Sequence, residues 1–290
     1  AAYFRTGFGL EVVLNAPETE DFRFVPNDLA DGIRWDNRIN WDLGTLPGSG
    51  DNVDLGGNWV NYGGTTTLNN LSFGSGGKLS VKQGYLAVDG TLETGQSGGQ
   101  LSIDAAGQFW TNGYSATQML DVDVDGGRFA NTGSFTGTTH MTATDGQTIL
   151  ATDGANFDLS ADSMLNIFGD DGKVGFDGTT GDTAVLRLED DSTLRFVADS
   201  EGFSTIEEFR SGFFGTAQSD VQSGVNLGNA NLHIDVSQIA GTAGVHDLVK
   251  VDEIIGKFED IHISGLGSTQ DARLLINYET DTVSVELLNP

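Results

Sequence analysis

Apolar and polar positions alternate in short bursts along much of this chain. Between residues 51 and 112 the bursts read Leu71-Ser72-Phe73, Leu79-Ser80-Val81, Leu86-Ala87-Val88, Leu92-Glu93-Thr94, Leu101-Ser102-Ile103 and Phe109-Trp110, with leading apolar residues 6 to 9 positions apart. That spacing is too short for a helical hairpin repeat and suits a strand of three or four residues followed by a glycine-bearing corner. Period 2 turns one face of each strand inward and the other to solvent. Three corners per turn give a coil of roughly 20 to 25 residues, the signature of a parallel β-helix.

The same alternation continues more loosely through Arg128-Phe129-Ala130, Phe157-Asp158-Leu159, Val185 to Leu188 and Leu194 to Val197. The looser Thr- and Gly-rich stretch from Asn131 to Thr148 is expected to include a longer loop. Residues 1–50 lack the glycine rhythm and hold Pro17, Pro26 and the aromatic residues Phe22, Phe24, Trp35 and Trp41, so they are expected to cap the open end of the coils. Ser204-Thr205-Ile206-Glu207 has the spacing of a helix capping box, and Ile206, Phe209 and Phe213 would share one face of a short helix. Strands return after Asn231 and end in a hairpin joined by Glu279-Thr280-Asp281-Thr282. The expected fold is therefore all-β: a right-handed parallel β-helix, or solenoid. Residues 1–50 form its N-terminal cap, 51–200 its coils, and 201–290 a short helix with antiparallel closing strands, all in one elongated domain.

Composition agrees with such a fold. Forty-one glycines against four prolines suit a chain that turns a corner every seven or eight residues. No stretch approaches 18 consecutive apolar residues, so no transmembrane helix is expected. The first residues, Ala1-Ala2-Tyr3-Phe4-Arg5, do not read as a signal peptide, and any leader is expected to have been removed. There is no cysteine, which excludes disulfides and thiolate chemistry.

Charge narrows the partners. With 42 acidic and 14 basic residues the net charge is −28, which repels nucleic acid and anionic membranes. Such a surface suits a salt-exposed extracellular protein or one that gathers Ca²⁺ on its carboxylates.

The segment from Asn40-Trp41-Asp42-Leu43-Gly44 through Pro47-Gly48-Ser49-Gly50-Asp51-Asn52-Val53, with the Leu-x-Val strands after it, resembles the opening of autotransporter-passenger-like and adhesin-like β-helix repeats of bacterial surface proteins. The ending, with Leu248-Val249-Lys250-Val251, Gly256-Lys257-Phe258, Leu275-Ile276-Asn277-Tyr278 and Val283-Ser284-Val285, is similar to theirs. The resemblance implies a secreted, cell-surface β-helix with adhesive or scaffolding roles, whose partners are copies of itself or other surface proteins. It transfers no catalytic residue. The chain lacks the C-terminal membrane barrel of that pattern, so self-translocation is not expected.

Candidate chemistry is sparse. Asp121, Asp123 and Asp125 alternate with Val122 and Val124, which sets three carboxylates on one outward face as candidate calcium ligands. The run opens like an EF-hand loop, but Thr132 stands where a bidentate Glu is required. Gly169-Asp170-Asp171-Gly172 through Asp177-Gly178 is faintly like secreted calcium-binding glycine–aspartate repeats but lacks their tandem repetition.

A glycan-binding or glycan-active β-helix (lyase, epimerase or hydrolase type) is the rival to a structural role. Trp59, Tyr62, Trp110 and Tyr114 are its candidate sugar-stacking aromatics. A uronate lyase needs a base and a cation; Arg187 and Arg195 face outward beside Glu189, Asp190 and Asp191, which reads as a surface ion-pair network. The four histidines show no paired metal-ligand spacing, and Thr65-Thr66-Thr67 does not recur at coil spacing as an ice-binding ladder would.

Overall fold

The computed structural model describes residues 2–5, 11–14, 19–27, 33–115, 118–178, 180–209 and 221–288. Among these the fold is all-β, with a single 3₁₀ turn at Arg38–Asn40 and no α-helix. Most strands belong to one large sheet that nearly closes on itself in a barrel-like shape. A smaller sheet pairs Asp21–Arg23, Asn52–Asp54, Asn70–Ser72 and Leu92–Glu93 in parallel, and Ala2–Arg5 pairs antiparallel with Glu11–Leu14.

The large sheet is organised as three ladders of parallel strands. In the first, the opening halves of Trp59–Leu68, Gly77–Val88 and Gly99–Tyr114 are followed by Leu120–Asp125, Thr139–Ala143, Met164–Phe168, Thr193–Val197, Asn231–Asp235 and Asp260–Ser264. The second runs through the closing halves of the same three long strands, then Arg128–Phe135, Gln147–Ala151, Lys173–Phe176, Ile206–Glu208 and Gly244–Lys250. The third joins the ends of Gly99–Tyr114 and Arg128–Phe135 to Asn156–Leu159, Thr183–Leu188, Gln222–Asn226 and Glu253–Ile255. The chain visits the ladders in turn.

Register lines up side chains of one kind. Val60, Leu79, Leu101, Val122, Met141, Leu165, Leu194, Leu232 and Ile261 form one inward column of the first ladder, each paired with the next. Every member before Ile261 is at most 2% exposed. Aromatic rings follow the same rule: Phe109 is in register with Phe129, their rings stacked at 6.4 Å, and Phe135 with Phe157 at 4.5 Å. Full burial of each such side chain contributes about 1.5–3 kcal/mol. At the N-terminal end Phe22, Phe24, Trp35 and Trp41 bury themselves edge to face, and Trp35 meets Tyr62, so this cluster is continuous with the ladder core.

Two local readings are corrected. The stretch from Asn131 to Thr148 includes no long loop: the strand Thr139–Ala143 and parts of two others leave only residues 136–138 and 144–146 between them. Asn131 is fully buried, and the two N–H groups of its Nδ2 are shared among the carbonyls of Gly133, Leu150 and Asn156, each 3.0 Å away, tying a bend to two neighbouring segments. The capping-box helix is absent as well. Ile206–Glu208 is a strand between Lys173–Phe176 and Gly244–Lys250, with Ile206 opposite both Val174 and Val249. The Thr205 hydroxyl donates to the Asp247 carbonyl, 2.9 Å away on a different strand. Burial of Ile206 in an existing ladder outweighs a capping preference of about 1 kcal/mol. Phe213 lies outside the described residues.

The corners depend on glycine where ladders turn. Gly64, Gly84 and Gly107 are in register at the bend between the first and second ladders. Gly84 has a φ of 79°, and a Cβ there would land on the Gly64 carbonyl oxygen. Gly84→Ala is expected to destabilise the fold by about 2–3 kcal/mol in chemical denaturation, whereas Gly48→Ala, which has room, changes it by less than about 0.5 kcal/mol. Asn131→Ala removes the donors to three carbonyls and is expected to cost about 3 kcal/mol in the same assay.

Candidate functional site

The outward positions of the first ladder form its most chemically varied surface. Strand alternation sets Gln100 and Ser102, Asp121 and Asp123, His140 and Thr142, and Met164 and Asn166 side by side on successive strands. With Lys78 they line a shallow groove of about 400 Å³. His140 Nδ1 lies 3.6 Å from Asp121 Oδ1, and Asn166 Nδ2 donates weakly to Thr142 Oγ1 at 3.5 Å.

Asp121, Asp123 and Asp125 are all exposed and alternate with buried Val122 and Val124. Partial burial, then the Asp125 and Asp104 carboxylates, push the Asp123 carboxyl above its ordinary value, against the pull of Lys78. The three aspartates do not converge on one point: the group of three metal-ligand side chains that does, among the described residues, is Asp170, Asp171 and Asp199, with one ligand atom from each lying within 4.8 Å of the others.

This second cluster joins the turn after Met164–Phe168 to the turn after Thr193–Val197, which are neighbours in the first ladder. Asp199 also organises its own turn. Its carboxylate accepts from the backbone N–H groups of Glu201 (2.8 Å), Gly202 (3.0 Å) and Asp170 (3.2 Å). The Gly202 N–H is the foremost of the donors that hold Asp199 below the usual carboxylate range. Loss of hydration, then repulsion from Asp199, Glu201 and Asp171, raises Asp170. Three carboxylates so close can accept a hard cation, which would relieve that repulsion. Asp170 and Asp171 lie in the acidic run singled out in the sequence. Asp199, one ladder step of 29 residues away, could be found only once the strand pairing was known.

The aromatic candidates separate by burial. Trp59 is 49% exposed, with Lys78 Nζ 5.3 Å from its ring centre and its Nε1 donating to Ser80 Oγ at 3.3 Å. Tyr62 is in the core, its hydroxyl donating to the Tyr85 carbonyl, and Tyr114 is equally buried, its hydroxyl bonded to the Gln118 carbonyl. Neither presents a face for a sugar. Trp110 is half-buried against Ala130, Ile149 and Phe209, with the Tyr85 ring edge-to-face and its centre 5.4 Å from the Trp110 ring centre.

The two arginines read as an ion-pair network with Glu189, Asp190 and Asp191 are placed otherwise: Arg187 pairs with Asp158 across a ladder step at 3.1 Å, and Arg195 lies over the Phe168 ring. The histidines meet a carboxylate (His140), one another (His233 and His262, rings 5.7 Å apart) or Phe203 (His246). Ser223 Oγ donates to Glu208 at 2.5 Å while accepting the Asp252 N–H, which ties a buried hydroxyl into the ladder.

A raised carboxyl pKa means that the native state holds its proton more tightly than the unfolded chain. Stability from this group is complete below the unfolded value and falls as pH rises through the native one. Asp123→Asn, which mimics the protonated form, is therefore expected to raise the melting temperature at pH 7 and to leave it unchanged at pH 3. Equal shifts at both pH values would assign the effect to packing instead.

Comparison with known proteins finds no family model that matches the chain, and no match among curated proteins or solved structures.

Proposed function

We propose that this chain is a non-enzymatic, extracellular structural protein of the cell surface, of the autotransporter-passenger-like or adhesin-like kind, which associates with copies of itself through the end of a right-handed parallel β-helix. Parallel pairing, the chain's visits to three ladders in turn and the columns of like side chains support the solenoid reading. Parallel strands joined by crossovers take the right-handed sense in nearly all proteins, which supports the hand.

One observation carries the functional reading. Ile261 continues a column whose earlier members are covered, yet it is 44% exposed, and among the described residues its strand Asp260–Ser264 pairs on one edge only. An uncovered core position beside an unpaired edge is a place where another strand adds. The absence of cysteine and the large acid excess agree with a salt-exposed, secreted location.

A second reading, binding of a neutral glycan, is favoured by the groove over Gln100, Asp121 and Asn166, with exposed Trp59 on the same ladder. A glycan array with product analysis separates the two: retention or turnover of any polysaccharide at micromolar protein would put this reading first.

Calcium is part of the structural proposal, because a surface of charge −28 gains stability by binding a divalent cation in the native state. Melts with millimolar CaCl₂ and with EDTA, at matched ionic strength, are expected to differ by several degrees. Asp170→Asn with Asp199→Asn, or Asp121→Asn with Asp123→Asn, is expected to remove the difference and so locate the ion; identical midpoints would exclude it. For assembly, sedimentation and electron microscopy at raised ionic strength are expected to find dimers or larger ordered species, and a monomer at every concentration up to the millimolar range would overturn the reading.

A further inference from the structure

The end of the fold near Asp260–Ser264 is unfinished in a specific way. Its inward positions are Ile261 and Ile263, opposite Leu232 and Ile234 on the preceding strand, and its outward ones are Asp260, His262 and Ser264. Leu232 and Ile234 are covered; Ile261 is not, and Ile263 is only partly buried. The opposite end of the fold differs, since Phe22, Phe24, Trp35 and Trp41 are each at most 5% exposed there. Apolar positions there are covered by aromatic bulk, although among the described residues the strand Asp21–Arg23 also pairs on one edge only.

Among the described residues the three ladders also stop at different heights. The second continues past Gly244–Lys250 by two antiparallel strands, Thr282–Leu288 and then Asp271–Asn277. The first continues past Asn231–Asp235 by one, Asp260–Ser264. The third stops at Glu253–Ile255. The end is a staircase of three levels.

Resting on the solenoid and self-association reading above, we infer that Asp260–Ser264 pairs antiparallel with the same strand of a second copy, about a two-fold axis through His262. Three features of this chain meet in that register. Ile261 of one copy falls opposite Ile263 of the other, and the converse, so both uncovered inward positions acquire apolar neighbours and the column closes. Asp260 falls opposite Ser264, so no two carboxylates face each other directly, which matters in a chain of charge −28. The axis exchanges the second and third ladders, so the tall side of each copy stands over the short side of the other. The contact is isologous and self-limiting, giving a closed dimer at this end.

The chain has no cysteine, so a single introduced thiol reports on the register directly. Residues directly opposite in an antiparallel pair have Cα atoms about 4.5–5.5 Å apart, within disulfide reach. Full-length His262→Cys, treated with diamide at micromolar concentration, is expected to convert to a disulfide-linked dimer at least about ten times faster than Arg195→Cys. Arg195 lies two ladder steps further from the axis, which sets its two copies roughly 24 Å apart. Adding Ile261→Glu to His262→Cys is expected to slow cross-linking to the Arg195→Cys rate while leaving the circular dichroism spectrum unchanged. Equal rates for the two single-cysteine variants would overturn the two-fold register. Wild-type oligomers seen alongside equal rates would leave self-association standing through another surface, whereas a wild-type monomer throughout would remove both.

Discussion

Parallel strands in register place each side chain beside its counterpart one step along the ladder, and this constraint governs the rest of the molecule. The column from Val60 to Ile261 works because every step keeps inward residues inward; a slip of one position would turn the whole face out. The rule fixes chemistry as well as packing. Phenylalanines stack on phenylalanines, Gly84 is held between Gly64 and Gly107, and outward acids gather near outward acids one step away, as at Asp170 and Asp199. Concentrated negative charge is thus a consequence of register as much as of composition.

The same constraint sets the two ends of the ladders apart from the rest of the surface. A ladder has no internal stopping rule, so it needs a cap. At one end aromatic bulk supplies it. At the other, among the described residues, the antiparallel strands Thr282–Leu288 and Asp271–Asn277 cover the second ladder only, leaving Ile261 in the open beside an unpaired edge. Among the described residues the groove on the first ladder holds no set of three converging metal-ligand side chains.

Much of this was legible in the sequence where the signal is local. Triplets such as Leu79-Ser80-Val81 and Leu101-Ser102-Ile103 declare strands because period 2 needs no knowledge of partners, and they lie in strands of the first ladder. Information held in the pairing was not legible. The step between ladder neighbours is 19 residues from Val122 to Met141 but 38 from Leu194 to Leu232, so Asp199 could not be set beside Asp170 by a fixed repeat. Asn131 reads as a loop residue by type, and only its buried position turns it into a bridge between carbonyls. Ser204 to Glu207 carries a true helix-start pattern that a waiting ladder overrides, and the aromatic rings of Tyr62 and Tyr114 carry no local mark to distinguish a filled corner from a sugar platform.

Pulsed electron paramagnetic resonance tests the ladder register most directly, because a chain without cysteine accepts a pair of spin labels at chosen positions. From Ser102 the outward column runs through Asp123, Thr142 and Asn166 to Arg195 in four steps and to His233 in five. At about 4.8 Å per step, labels at Ser102 and Arg195 are expected near 19 Å, and labels at Ser102 and His233 near 24 Å, measured with excess unlabelled protein. Distances that rise in proportion to ladder steps would establish the register. Two equal distances, or a shorter one for the more distant pair, would contradict it.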